Sequence, residues 1–203
     1  MIRLSALLAG LFLLAACTAP SPDDPLQDLG AFYLGHNIVV APKMQKGPVS
    51  RDASKEEWVE VLTRAVGDRF GRYDGDQLYH FGISVEGFML APPGVPLLYT
   101  PKSVLIINVT VWDDAAGKKL NDEPEQITVF ETTSGGSALV GSGHERTKQE
   151  QMQGLARNAA DRIEDWLVEM QAENGWFAPR PDADPTADPG PAPASAAPLP
   201  EAG

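Results

Sequence analysis

The sequence predicts an α+β fold: a two-layer sandwich with a mainly antiparallel, four- to five-stranded sheet and two helices on one face. Two observations carry this. Residues 77–113 read as two strands joined by a proline-rich turn, QLYHFGISVEGFML, APPGVPLLYTPKS and VLIINVTVWDD. Tyr79, Phe81, Ile83, Val85 and Met89 alternate with His80, Ser84 and Glu86, and Leu105, Ile107, Val109 and Val111 alternate with Ile106, Asn108 and Thr110. A period of two gives each strand one apolar and one mixed face, and the apolar side needs covering. The second observation is a pair of capped helical stretches that can supply the cover.

In chain order, AFYLGHNIVVAP (31–42) reads as the first strand, with Phe32, Leu34, Ile38 and Val40 on one face and His36 among them. MQKGPVSRDA reads as a loop. Ser54 and Glu57 have capping-box spacing, and Trp58, Val59, Leu62, Ala65, Val66 and Phe70 follow at helical intervals, predicting a helix over about 54–70. After the two central strands, residues 115–124 form a turn and EQITVFETT (125–133) reads as a fourth strand. Ser134-Gly135-Gly136 turns it into a short fifth strand around 137–140. Thr147 and Glu150 repeat the capping box, and Met152, Leu155, Ala156, Ala159, Ile163, Trp166, Leu167 and Met170 predict a helix over 147–173, stopped by Asn174-Gly175. The order is β-α-β-β-β-(β)-α in one domain, residues 31–178.

The ends differ in composition. MIRLSALLAGLFLLAAC has one cation, Arg3, and then an apolar run, the layout of a secretory signal over residues 1–16. Residues 17–30 carry Pro20, Pro22 and Pro25 and read as a flexible tether. Residues 179–203 are Pro, Ala and Asp with one large apolar residue, Leu199, and predict a disordered tail. The chain is acidic, at −12. Such a balance argues against nucleic acid and against electrostatic attachment to anionic lipid.

Leu14-Ala15-Ala16-Cys17 resembles the lipobox of bacterial lipoproteins. The resemblance implies cleavage before Cys17 and acylation of its thiol and amine. Several acyl chains hold a protein stably on a bilayer where one holds it reversibly. Thr18 following the cysteine implies, within that class, an outer-membrane destination facing the periplasm. The element order and size resemble an uncharacterised envelope lipoprotein family. They are also similar, at the level of fold, to lipopolysaccharide-assembly lipoproteins and to auxiliary lipoproteins of lipid-transport ABC systems. Those resemblances imply an accessory that works by contact with an envelope protein, or alternatively a binder of lipid or another hydrophobic ligand.

No catalytic set is recognisable, and the expectation is a non-enzyme without cofactor or metal. Gly136 to Gly141 has the glycine spacing of a phosphate loop but lacks its lysine. His36 and His80 lie on strands that can be neighbours, with Asp74 and Asp76 near in sequence, yet no local ligand pair accompanies them. Asp113-Asp114 reads as a solvated strand end. The candidate contact residues are Val95, Leu97, Leu98 and Tyr99 on the long turn, and Trp112 on the mixed face. The turn residues either form an exposed contact patch or fold back over the sheet, and Trp112 either meets a partner or is covered by Trp176-Phe177.

Overall fold

The computed structural model describes residues 25–92, 102–131 and 146–180. The elements are β1 (Phe32–Val40), β2 (Gln45–Lys46), α1 (Lys55–Phe70), β3 (Gln77–Met89), β4 (Val104–Asp113), β5 (Lys118–Lys119), β6 (Glu125–Phe130) and α2 (Lys148–Asn174). Both helices pack on one face of a single sheet, giving the two-layer α+β body the sequence predicts. The fifth strand expected around 137–140 and the tail beyond Arg180 lie outside the described residues.

β3 and β4 are the antiparallel centre of the sheet. β1 lies on the far side of β3 and runs parallel to it, and β2 continues that edge. β6 pairs antiparallel with β4, and β5 extends that edge beside Trp112 and Asp113. The sheet is therefore mainly antiparallel, as expected, but carries a parallel edge at β1 and β2. The reason is the connection: α1 carries the chain back between β1 and β3, and a crossover of that length delivers a parallel strand. The two-residue β2 and β5 fall in stretches whose sequence reads only as loop and turn.

The helix ends match their sequence signals. The Ser54 hydroxyl accepts from the Glu57 amide, and the Glu57 carboxylate accepts from the Ser54 amide. Thr147 and Glu150 repeat the exchange on α2. Gly175 then ends α2 at φ 69°, its amide donating to the Gln171 carbonyl. That conformation suits glycine because it has no Cβ. The two N-termini are tied together where Lys148 Nζ lies 2.5 Å from Glu57 Oε1.

Two β-bulges change which residues face the helices. β1 has one residue more than β3 between the pairs Leu34–Tyr79 and Asn37–Phe81. Beyond that point the alternation is reversed: Val39 pairs with Ile83 and is buried, while Ile38 and Val40 pair with Gly82 and Ser84. The sequence-based assignment of Ile38 and Val40 to the face of Phe32 is thus overturned by a single inserted residue. In β3 the extra residue is Glu86, so Phe88 and not Met89 turns to the core.

Phe32 occupies the middle of the interior. Its ring lies 5.2–6.0 Å from those of Phe70, Tyr73, Tyr79, Phe81 and Phe177, so β1, α1, β3 and the segment after α2 meet there. Leu62, Val66, Ile107, Leu155 and Ile163 extend the same core between helices and sheet, all shielded from solvent.

Gly75 tests the packing of β1 on the turn before β3. Its amide donates to the Phe32 carbonyl, and a Cβ there would lie 2.3 Å from the Ala31 carbonyl carbon and oxygen. Backbone cannot rotate away as a side chain can. Gly75→Ala is expected to destabilise by about 1–3 kcal/mol, seen as a lower denaturant midpoint with unchanged slope. A second expectation concerns acid. The hydrogen bond from Lys148 and that from the Ser54 amide hold the Glu57 carboxyl below its ordinary range. A lowered folded-state pKa contributes stability that is present above the unfolded value and is lost as pH falls through the folded one. Glu57→Gln should therefore flatten the loss of melting temperature below about pH 4.5; an unchanged acid limb would rule this contribution out.

Candidate interaction surface

The helices leave the other face of the sheet uncovered. On it, His80 pairs with Trp112, Gly82 with Thr110 and Ser84 with Asn108 across β3 and β4. Ile38 and Val40 join from β1, while Gln126, Thr128 and Phe130 join from β6. Ile38, Val40, Trp112 and Phe130 are 59, 46, 41 and 58 % exposed. These four, with Val49, are the exposed large apolar residues among those described, so the exposure is concentrated on one face. Scattered exposed apolar residues are ordinary, whereas apolar exposure gathered on one face makes that face a candidate contact surface.

The central rows of this face carry no charge. Glu86 at the bulge, and Asp114 and Lys119 beside Trp112, stand at its ends. The mixed face of β3 and β4 is therefore largely neutral. Gly82 adds relief: a Cβ there would meet nothing within 4 Å, so β3 leaves a shallow lane between Ile38 and Thr110. Lys119 lies 5.7 Å from the centre of the Trp112 ring, close enough for a cation–π contact.

His80 organises one corner. The amide of His36 donates to His80 Nδ1 at 2.7 Å, which leaves that nitrogen without a proton. The proton then sits on Nε2, facing Asp114 Oδ1 at 2.9 Å. The His36 ring stacks on His80 at 4.9 Å. Gly35 makes the arrangement possible, since a Cβ there would lie 2.4 Å from the His80 ring. The bulge in β1 is thus built around this imidazole. Asp74 and Asp76 do not join the histidines, and no group of three or more His, Cys, Asp or Glu among the described residues is placed to hold a metal.

Other expected positions fall as follows. Trp112 is on the open face, and Phe177 cannot cover it, because Phe177 is buried on the helix side against Phe32 and Tyr79. Trp176 packs on Trp166 instead. Asp113, expected to be solvated, is buried; it accepts from the Ala116 amide and is paired with Arg180. Cys17, Val95, Leu97, Leu98 and Tyr99 lie outside the described residues. Ile38 and Val40 were not recognisable as surface residues from strand alternation alone. Gly35 inside an apolar strand was the available signal of a bulge.

A second concavity, of about 490 Å³, opens at the β1 edge between Val39–Pro42 and the α1 residues Lys55, Glu56, Val59 and Glu60. Lys55 Nζ donates across it to the Pro42 carbonyl. It is shallow and wide, and the space between helices and sheet is filled by the aromatic core. Among the described residues no helix is long and apolar enough to cross a membrane.

Exposed residues that hold no neighbour in place can change with little effect on stability. Trp112→Ser and Phe130→Ser are expected to shift unfolding free energy by less than about 1 kcal/mol, and buried Ile83→Ser by more than about 3. Equal losses at all three positions in a thermal unfolding series would mean that the face is covered within the chain.

No protein-family model matches the sequence, and no curated protein matches it either. Solved structures with a similar arrangement include a Xanthomonas campestris protein of the family DUF330, 12 % identical, with a TM-score of 0.42, covering 77 % of this chain and 94 % of that one. A minor lipoprotein from Acinetobacter baumannii is 15 % identical, with a TM-score of 0.29, covering 64 % and 92 %. At TM-scores below 0.5 such likeness transfers neither activity nor partners.

Proposed function

We propose that this chain is an envelope lipoprotein, held on a bilayer by acyl chains on Cys17, that serves as a non-catalytic accessory in outer-membrane assembly or transport. It works by docking a protein partner on the open face of the sheet, from the periplasmic side. The single observation behind this is that face: neutral in its central rows, apolar at Ile38, Val40, Trp112 and Phe130, and left bare by both helices. A chain with 22 % charged residues that keeps one sheet face almost free of charge is disposing that face for burial. The lipobox supplies the anchor, and the negative balance of the chain leaves acyl chains as the means of holding it to anionic lipid.

The alternative, a binder of hydrophobic ligand between helices and sheet, is less well supported. Phe32, Phe70, Phe81 and Phe177 fill that space and are essentially inaccessible.

Photo-crosslinkers placed at Ile38 and Trp112 in cells should capture one envelope protein, and the Ile38→Ser, Trp112→Ser, Phe130→Ser triple variant should abolish the same adduct while remaining folded. Cys17→Ser should move the protein out of the membrane fraction. Adducts that appear equally from crosslinkers on the solvent side of α2 would defeat the docking assignment.

A further inference from the structure

A side chain stands in for part of the strand ladder. Between the pairs Leu34–Tyr79 and Asn37–Phe81, β1 has Gly35 and His36 where β3 has only His80. The His36 amide donates to His80 Nδ1 at 2.7 Å. A backbone amide is always a donor, so Nδ1 has to offer its lone pair there. The one ring proton is on Nε2, 2.9 Å from Asp114 Oδ1. Both nitrogens are engaged, and a second proton can bind only at Nδ1. It would then point at the His36 N–H, donor against donor. The ring has little room to turn away. β1 passes so close that a Cβ on Gly35 would lie 2.4 Å from Nδ1 and Cε1, and the His36 ring stacks on His80 at 4.9 Å.

We propose that His80 is a proton-released latch on β1: neutral, it holds the bulge that aims Ile38 and Val40 outward, and protonated, it lets that stretch of β1 go. The consequence for docking rests on the reading of the open face as the docking surface. Imidazole is the side chain whose ordinary titration falls between about pH 5 and 8. The groups that face this ring come from three elements. Asp114, in the turn after β4, favours an imidazolium. Lys119 of β5, over the ring of the cross-strand neighbour Trp112, opposes it, and so does His36 of β1 once charged. Tyr33 of β1, paired with Leu78, brings no charge, and Asp113 is taken up by Arg180. Both helices lie on the opposite face. These charges set the pH at which the ring gains its proton, but none removes the conflict at Nδ1. The bond to the His36 amide belongs to the neutral ring alone, so it is present at high pH and lost as pH falls through the titration. With it goes the support of the inserted residue. Register is what puts Val39 inside and Ile38 and Val40 outside, and a loosened bulge no longer enforces it.

The test follows amide exchange and the His80 ring by nuclear magnetic resonance on the full chain. Between about pH 7.5 and about pH 5, protection factors at His36 to Val40 should fall about tenfold as the ring titrates, while the β3–β4 pairs keep theirs. His80→Asn keeps a carbonyl oxygen near the place of Nδ1 and has nothing to titrate, so protection there should no longer depend on pH. Asp114→Asn should leave the release in place and move it to lower pH. A ring that titrates with His36 to Val40 still protected would overturn the latch. So would a ring that stays neutral throughout, a loss that spreads to β3 and β4 at the same pH, or a release abolished by Asp114→Asn. In cells, the adduct from a photo-crosslinker at Ile38 should be several-fold weaker at the lower pH, and His80→Asn should equalise the two. An Ile38 crosslinker that captures nothing at either pH overturns the docking consequence and the proposed function with it, whereas exchange, read on the chain alone, still decides the latch.

Discussion

Phe32 is the residue around which the described body closes. A two-layer fold needs its sheet and helices joined by apolar contacts, and here five aromatic rings converge on one strand residue. They come from α1, from the turn after it, from β3 and from the segment after α2. Elements distant in sequence thus share one set of edge and offset ring contacts, an arrangement aromatic quadrupoles favour. The segment after α2 is held there by Phe177 at φ 61°, a backbone conformation unusual for an aromatic residue. Burial of that ring between Phe32 and Tyr79 supplies the compensation.

Beside that apolar centre lies the Arg69–Glu164–Tyr73 group, with a different physical character. Ion pairs removed from water recover their desolvation cost only when geometry is good and the remaining polar groups are satisfied. Two contacts join the guanidinium to the carboxylate, and the phenol and a backbone carbonyl complete the set. Burial and the hydrogen bond to Glu164 push the Tyr73 phenol far above its ordinary value, so it remains a donor. An apolar cluster of the same volume would join the helices as well. What an apolar cluster cannot do is bind the carbonyl of an incoming proline, and this group does that.

The parts of the fold that were legible in the sequence are those fixed by near neighbours in the chain. Ser54 with Glu57 and Thr147 with Glu150 announce helix starts because a cap is an exchange between residues three apart. The period-two runs of β3 and β4 announce strands for the same reason. The bulges were not legible, because whether β1 carries an extra residue depends on the His80 ring it must pass, 45 positions from Gly35. Trp112 could be picked out, since it breaks the polar alternation of its strand. Ile38 and Val40 could not, since an apolar residue in an apolar strand reads as core until the register is known. Arg69 and Glu164 are charged residues on helices far apart in the chain, and only the packing of α1 on α2 brings them together around Pro25.

The one-sided sheet and the bulges belong to the same device. Without the extra residue in β1, Ile38 and Val40 would point at the helices, and the open face would keep Trp112 and Phe130 at opposite ends with small polar residues between. The bulge turns two β-branched side chains outward beside the lane left by Gly82, and so adds apolar surface at the β1 edge of the neutral rows. It does this at a point where His80 supplies the acceptor for the amide that the bulge exposes. A bulge commonly re-aims side chains near functional positions, with the irregularity itself satisfied by a nearby polar group. Here the group that satisfies the backbone also seats Asp114 next to Trp112. The open face and the local geometry that creates it are therefore produced by the same few residues: Gly35, His36, His80 and Asp114.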